Sequence, residues 1–344
     1  MTFASIILPA CNAQDLLPET LAALLAQSWP DYEILVVDDG SSDATARIAR
    51  SHAADLRIRV LRQANRGLAG ARNSGIAAAR GAYVGFCDAG DLWHPEKLAR
   101  HIAHLEANPR IGVSFAGATL IAPAARLTGG ARRPRLTGLT AATMLRHPPI
   151  SAGSGPVLRR AVLDEIAHRP RQDPDRTWYF DETFRQPEDT EGWLRIALTT
   201  GWQFEGLPGR LTRVRTPAGA PTNAPAGDAA GEADRQLAAW DRMVAKLTPL
   251  NPAFFAAHAP AARAYRMRTL CRDAIRRADP PAARNWARRW LATSRRPLIE
   301  APASSALTLA GAAALSLCGG RCAGAAMQRL TGLRRHISGR AEAL

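Results

Sequence analysis

Residues 86–91 read Phe-Cys-Asp-Ala-Gly-Asp, so an apolar run delivers two carboxylates, Asp88 and Asp91, with a glycine between them. Acids so placed can hold a hard divalent cation against a diphosphate. Asp91 could equally cap the helix expected from Pro95. A second pair, Asp38 and Asp39, ends the apolar run 33–37 and is followed by Gly40 and Ser41. A carboxylate there can accept from a base N–H or from ribose hydroxyls, and the glycine lets the backbone turn close to a ligand. The competing reading is a helix-capping turn. Arg66, Gly67, Gly70, Arg72 and Asn73 stand at a helix entrance, a place that suits a phosphate. The glycine spacing is not the dinucleotide-binding fingerprint, and no Gly-Lys-Ser/Thr of a P-loop is present. Glu188, Asp189 and Glu191 open a further helix. The dipole favours acids there in any protein, and one of them could serve as a general base.

These residues need elements to hold them. Short apolar runs at 5–8, 33–37, 57–61, 82–87 and 111–116 alternate with helical patterns at 18–27, from residue 42 or 43 to 50, one opened by the loop 65–75 and running to about 79, and at 95–107. Alternation of this kind predicts βαβ units and a mainly parallel sheet covered on both faces. Ligands of such sheets bind at the carboxyl ends of the strands, where both acidic pairs lie. Further on, 126–135 reads as an exposed loop, 155–159 as a strand, 161–166 as a short helix, and 202–215 as strands with a turn at 207–209. Helices are expected at 233–247, 261–278, 282–293 and 301–320. The stretch 217–232 is rich in Pro, Ala and Gly and reads as a linker or loop. The predicted organisation is therefore a catalytic domain over 1–216, a linker over 217–232 and a basic helical region over 233–344.

The 344 residues carry a formal charge of +15. Residues 235–340 hold 19 Lys+Arg against 4 Asp+Glu, which accounts for all of it; the rest balances at 26 against 26. A basic region of this kind suggests an anionic partner. Nucleic acid is disfavoured, because the aromatics are not interleaved with the basic residues as stacking platforms require. Trp286 and Trp290 fall on the apolar side of an arginine-bearing helix. That pattern predicts either an interfacial helix on anionic lipid or a packed appendage with solvated arginines. The uncharged stretch 301–320 is long enough to span a bilayer, but Ala, Gly and Ser dominate it. The N-terminus has no basic n-region and too short an apolar run for a signal peptide. Five scattered cysteines suggest buried, reduced thiols in a cytoplasmic protein, and Cys318 with Cys322 lacks the partners of a zinc site. His101 and His104 read as a solvated helix face.

Taken together, the blocks 5–12 (SIILPACN), 18–45, 65–98 and 180–197 (FDETFRQPEDTEGWLRIA) resemble the inverting family 2 glycosyltransferases over roughly residues 3–215. The resemblance implies the GT-A fold: an α/β, Rossmann-like, mainly parallel sheet flanked by helices, here with a C-terminal helical extension. It implies a nucleotide-diphospho-sugar donor, a glycan or lipid-linked acceptor, and bacterial polysaccharide or envelope glycan synthesis at the inner face of the plasma membrane. By the same resemblance, Pro9 and Asn12 line the base pocket, Asp38 and Asp39 bind the nucleoside, and Arg72 reaches the base or diphosphate. Asp88 opens the acidic metal motif for Mn or Mg, and Asp189, beside Glu188, is the base. Two departures stand out. Gly90 replaces the acid that usually ligates the metal, and no His follows the strand ending at Arg215. Asp91 could take over the metal, Asp88 could hold it alone, or the metal role could be lost and leave a nucleotide-sugar-binding or scaffold module. Arg213 or Arg215 could clamp the diphosphate instead.

Overall fold

The computed structural model describes residues 3–122, 127–150, 153–184, 188–216 and 229–318. It divides the chain into two compact units: Met1–Met144 with Pro148–Ala220, and Leu145–His147 with Pro221–Leu344.

The first unit opens with the predicted alternation: β1 (Ala4–Ala10), α1 (Leu17–Leu25), β2 (Tyr32–Asp39), α2 (Thr45–His52), β3 (Ile58–Gln63), α3 (Gly67–Ala78) and β4 (Tyr83–Phe86). β5 (Leu92–Trp93), α4 (Lys97–Ala107), β6 (Ile111–Ile121), β7 (Leu127–Arg132), α5 (Ala141–Arg146), β8 (Val157–Arg159), α6 (Arg160–Ile166), α7 (Glu188–Thr199) and β9 (Gln203–Arg215) complete the run. One sheet joins the strands in the order β3-β2-β1-β4-β8-β6-β9-β5, with β7 alongside β6. The β3-β2-β1-β4 block is parallel, as is β6 with β9, whereas β8, β7 and β5 pair antiparallel to their neighbours.

Alternation along the strands sends successive side chains to opposite faces. Ile6, Leu8, Ile34 and Val36 join Leu17, Leu21 and Leu24 of α1 and Leu98, Ile102 and Leu105 of α4 in one core. Ile7 and Val37 point the other way and meet Gly75 of α3. The apolar runs are near-continuous because both faces are covered.

Several expectations change on contact with the structure. β1 does not stop at Pro9 but includes it. Pairing to β4 ends at Ile7, so the missing Pro9 N–H interrupts no ladder on that side. The stretch expected as a loop at 126–135 contains β7, and 202–215 is one strand whose register shifts on either side of Gly117, opposite 207–212, rather than two strands and a turn. His101 is buried, not solvated, and shares Ser114 Oγ with His104 at 2.7 and 2.8 Å. Cys11 is exposed, while Cys87 and Cys271 are buried.

The second unit is helical: α8 (Ala229–Leu247), a short 3₁₀ turn (Thr248–Leu250), α9 (Pro252–Arg276), α10 (Pro280–Thr293), α11 (Arg296–Glu300) and α12 (Pro302–Cys318). Asn251 and Asp279 cap α9 and α10, accepting from Phe254 N and Ala282 N. α9 runs straight through Pro260, so it begins nine residues before the expected start. Trp286 and Trp290 are buried among Met267, Leu270, Cys271 and Leu315. This corrects the interfacial reading of the two tryptophans: they face the core of the helical unit and offer nothing to lipid. Among the described residues, no helix is long and apolar enough to cross a membrane. Cys322 and residues 217–228 lie outside the described residues.

Candidate active site

The parallel block brings the loops after β1, β2 and β3 to one edge of the sheet. Asn12, at φ 49°, accepts at Oδ1 from Ser42 N at 2.9 Å and so ties the first loop to the second. Asp38, buried at the end of β2, turns inward. Its Oδ1 accepts from Ser41 N at 3.1 Å, and its Oδ2 lies 3.2 Å from Arg62 Nε. Asp39 accepts from Gln63 Nε2 (2.7 Å), Arg66 N (2.9 Å) and Gly67 N (2.9 Å). It caps α3 from another strand, satisfying amide groups that no intrahelical partner reaches. The capping reading of this acidic pair thus holds for Asp39, but for α3 and not for the helix that follows it in sequence. Pro9 is buried within β1, beside Val37.

A second cluster lies around Arg72 of α3, which is 2% exposed. Its Nη2 donates to Asp88 Oδ1 at 3.0 Å and its Nη1 to Glu188 Oε1 at 3.4 Å. The Phe86 and Phe180 rings sit 5.9 Å from the guanidinium carbon. Burial opposes the charge, but the carboxylates of Asp88, Glu188 and Asp189 hold the arginine above its ordinary pKa. Burial also raises the Glu188 pKa, against the pull of Arg72. Asp189 accepts at Oδ1 from Thr190 N at 2.6 Å and is only part-buried. Glu191 faces away, paired with Arg195 at 3.0 Å. Three blocks separated in sequence by up to 116 positions therefore converge on one guanidinium.

Asp91 has a different occupation from the one its spacing suggests. Ser154 Oγ donates to its Oδ2 at 2.6 Å, and Arg215 N donates to its Oδ1 at 2.9 Å. The same Ser154 Oγ accepts from Asp88 N at 2.8 Å. Asp91 is buried, and desolvation pushes its pKa up to about 6. It fastens the 88–91 turn to β9 and to the loop before β8, where the sequence offered it as a second metal ligand. Gly90 sits at φ +108°, its N–H on Thr20 Oγ1, under the Arg215 side chain, whose Nε donates to Gly90 O at 2.9 Å. Arg215 is further tied to Glu19 and Ala122 O. It therefore braces this turn.

Among the described residues, no three His, Cys, Asp or Glu side chains are grouped as cation ligands. Asp88, with its side chain 33% exposed, is the acid of the pair left facing the cleft. The residues do not fit a cation held by Asp88 and Asp91 together. They fit one held by Asp88, with oxygens from a bound diphosphate and water filling the other positions.

Sequence reasoning missed Ser154, Gly153 and Lys97. A Cβ at Gly153 would collide with Arg72 Nη2 and crowd Asp88 Oδ2, so only glycine lets that loop close over the pair. Lys97, wholly buried, donates to Gly155 O (2.6 Å) and Thr212 Oγ1 (3.1 Å), and burial pushes its pKa down to about 7. The small-residue run Gly-Ser-Gly at 153–155 was the one signal for this support.

The mainly parallel sheet flanked by helices is a GT-A-like fold. Residues 5–166, just under half of the chain, match the family described as Glycosyl transferase family 2. EpsJ of Bacillus subtilis (strain 168), an uncharacterized glycosyltransferase, is 49% identical over 105 residues, 30% of each chain. WfgD of Escherichia coli is a UDP-Glc:alpha-D-GlcNAc-diphosphoundecaprenol beta-1,3-glucosyltransferase. It is 36% identical over 105 residues, 30% of this chain and 41% of that one. Both alignments span less than half of the relative's length. Staphylococcus aureus TarS 1–349, solved with UDP-GlcNAc, superposes with a TM-score of 0.59 at 18% identity, over 91% of this chain and 90% of that one. At that identity the likeness speaks for the fold.

Proposed function

We propose that this protein transfers a sugar from a nucleotide-diphospho-sugar donor to a glycan or lipid-linked acceptor, with inversion, in bacterial polysaccharide or cell-envelope glycan synthesis. The observation that carries the reading is Arg72, buried between Asp88 and Glu188 beside Asp189. A structural ion pair alone would not need three acids from two distant segments around one cation.

The chemistry follows from the residue types. The nucleoside half of the donor lies against Pro9, Asn12 and Asp39. Asp189 takes the acceptor hydroxyl proton as the new bond from that oxygen to the anomeric carbon forms. The bond from the anomeric carbon to the phosphate oxygen breaks on the opposite face, and the nucleoside diphosphate leaves with the electron pair. Glu188 holds Arg72, and Arg72 holds Asp88, so the pair sets the geometry of the leaving-group side. A divalent cation bound at Asp88 would supply charge neutralisation for the departing diphosphate.

The chain acts at the cytoplasmic face of the membrane in this reading. Arg284, Arg288, Arg295 and Arg296 are exposed on α10, α11 and the turn between them, and Ile299 is 78% exposed. This surface would bind anionic lipid through charge, without the tryptophans.

The test is Asp189→Asn, which keeps the shape and removes the proton acceptor. Release of nucleoside diphosphate should fall by about 10²–10⁴-fold while calorimetric donor affinity is kept. More than half of the activity remaining would remove Asp189 from this role. A second reading, a binding or scaffold module, draws on the engagement of Asp91 by Ser154 and Arg215. Donor binding without turnover on any acceptor, with or without manganese, would favour it.

A further inference from the structure

A groove of about 740 Å³ lies beside the sheet edge formed by β5 and β9, within the range of about 300–1,000 Å³ usual for small-molecule sites. Asp39, Arg72, Asp88, Glu188 and Asp189 do not line it. Its lining is mixed: Ala23 of α1, Pro95 beside β5 and Leu127 of β7 are its apolar part, with the almost fully buried Leu92 and Leu211, while Thr119, Thr212, His94, Arg210 and Arg213 are polar. Leu127 is 69% exposed, a large apolar side chain left to water. The charged residues at the groove are His94, Arg210 and Arg213, and the described lining residues include no acid. Arg210 and Arg213 are both exposed. Their guanidinium groups make no hydrogen bond or ion pair among the described residues. Arg59, Arg66, Arg72, Arg176, Arg195 and Arg215 of the same unit, in contrast, pair with carboxylates, though other exposed arginines such as Arg47 and Arg50 on α2 do not.

We infer that this groove binds an anionic amphiphile, its phosphate-type head on Arg210 and Arg213 and its hydrocarbon chain along Leu92, Pro95, Leu127 and Leu211. Two guanidinium groups can grip a phosphate through paired N–H donors. An apolar wall with no acid nearby leaves the head no like charge to avoid. The site is separate from sugar transfer: it stands or falls whether or not the cleft turns over a donor.

The experiment is calorimetry of the full chain with dodecyl phosphate, octyl phosphate, dodecanol and inorganic phosphate, all kept below micelle-forming concentrations. Dodecyl phosphate should bind at least tenfold more tightly than dodecanol or inorganic phosphate. Affinity should rise with chain length by up to about fourfold per methylene that enters the groove. Arg210→Ala/Arg213→Ala should weaken dodecyl phosphate at least tenfold and leave dodecanol unchanged. Arg47→Ala/Arg50→Ala, on the exposed face of α2, should leave both unchanged. Ala23→Trp should flatten the chain-length dependence. Equal affinity for dodecanol and dodecyl phosphate would overturn the anionic head. Equal affinity for dodecyl phosphate and inorganic phosphate would overturn the apolar wall. Loss of binding in the Arg47/Arg50 variant and not in the Arg210/Arg213 variant would move the site out of this groove. The wild-type series decides the ligand class even if Ala23→Trp disturbs α1.

Discussion

Each unit of this protein buries an arginine, and the two solve the same problem differently. Arg72 in the α/β unit is 2% exposed and meets carboxylates, Asp88 and Glu188. Arg268 in the helical unit is 5% exposed and meets a hydroxyl, Ser305 Oγ at 2.6 Å, with the Tyr265 ring 4.7 Å from its guanidinium carbon. Its neighbour Arg272 likewise donates to Thr308 Oγ1 at 2.8 Å and to Ser304 O at 3.0 Å. Carboxylates cancel the charge they bind; hydroxyls solvate it and leave it standing. The helical unit also pairs arginines with acids, Arg263 with Asp241 and Arg289 with Asp234, but it holds the basic surplus that makes the chain +15. The polar face of α12 is thus a lining for arginine rather than a sign of a membrane span.

The sharpest way to break this contrast is to remove each arginine. Arg72→Met should destabilise by roughly 3–5 kcal/mol, because it leaves buried Glu188 without its cation. The part-exposure of Asp88 holds the effect toward the lower end. Arg268→Met frees the Ser305 hydroxyl and loses the Tyr265 ring contact, and should cost about 1–3 kcal/mol. Urea denaturation of both variants measures the difference, and equal losses would mean that partner chemistry is not what separates the two units.

Asp39→Ala should act on the nucleotide side, weakening donor binding by about 1–3 kcal/mol in calorimetry. It should also loosen the entrance to α3, visible as faster amide exchange at Arg66 and Gly67. Unchanged affinity with faster exchange would leave Asp39 a cap and nothing more.

The pH dependence of stability offers a finer test of the support behind the turn. Asp91 has a folded pKa of about 6, above the usual carboxylate value. The folded state therefore binds its proton more tightly, and stability falls as pH rises through the window from about 4 to about 6. Lys97 has a folded pKa of about 7, below the usual lysine value. The unfolded state holds that proton longer, so stability rises from pH 7 toward the ordinary lysine range. These two groups place a stability minimum between pH 6 and 7. Asp91→Asn should remove the acid limb and Lys97→Met the alkaline one; a profile unchanged in either variant would contradict that assignment.

The smallest effect concerns the surface of the basic unit. Full-length protein should pellet with anionic vesicles and be released by salt, because exposed charges are screened within about 8–10 Å at ordinary ionic strength. Arg284→Glu/Arg288→Glu should lower the bound fraction several-fold. Equal pelleting with neutral vesicles would sink the electrostatic version.

Much of this was legible before any coordinates. The strand-helix alternation gave the sheet, and the spacing of the acidic pairs put them at strand ends. What escaped was decided by partners distant in sequence. Pro9 stays in β1 because the β4 pairing has already ended, which no local rule contains. β7 was hidden because Gly129 and Gly130 look like loop residues, while its pairing to β6 runs through Leu127, Ala131 and Arg132. Trp286 and Trp290 fell on the correct face of α10, but periodicity cannot tell whether that face meets protein or lipid. The Asp91 spacing suited a metal equally well; only Ser154 and Arg215, 63 and 124 positions away, turn it inward.

Gly90 carries a consequence for the engineering of the site. Its φ of +108° is open to glycine and hostile to other residues, a Cβ there would come within 3.0 Å of Leu16 Cδ1, and Arg215 leans over it. Placing an acid at position 90 would strain the turn by about 1–3 kcal/mol before it could gain any ligand. The turn thus favours glycine at this position: an acid introduced there is uphill, and building a two-acid metal site would require rebuilding the brace around Arg215 first.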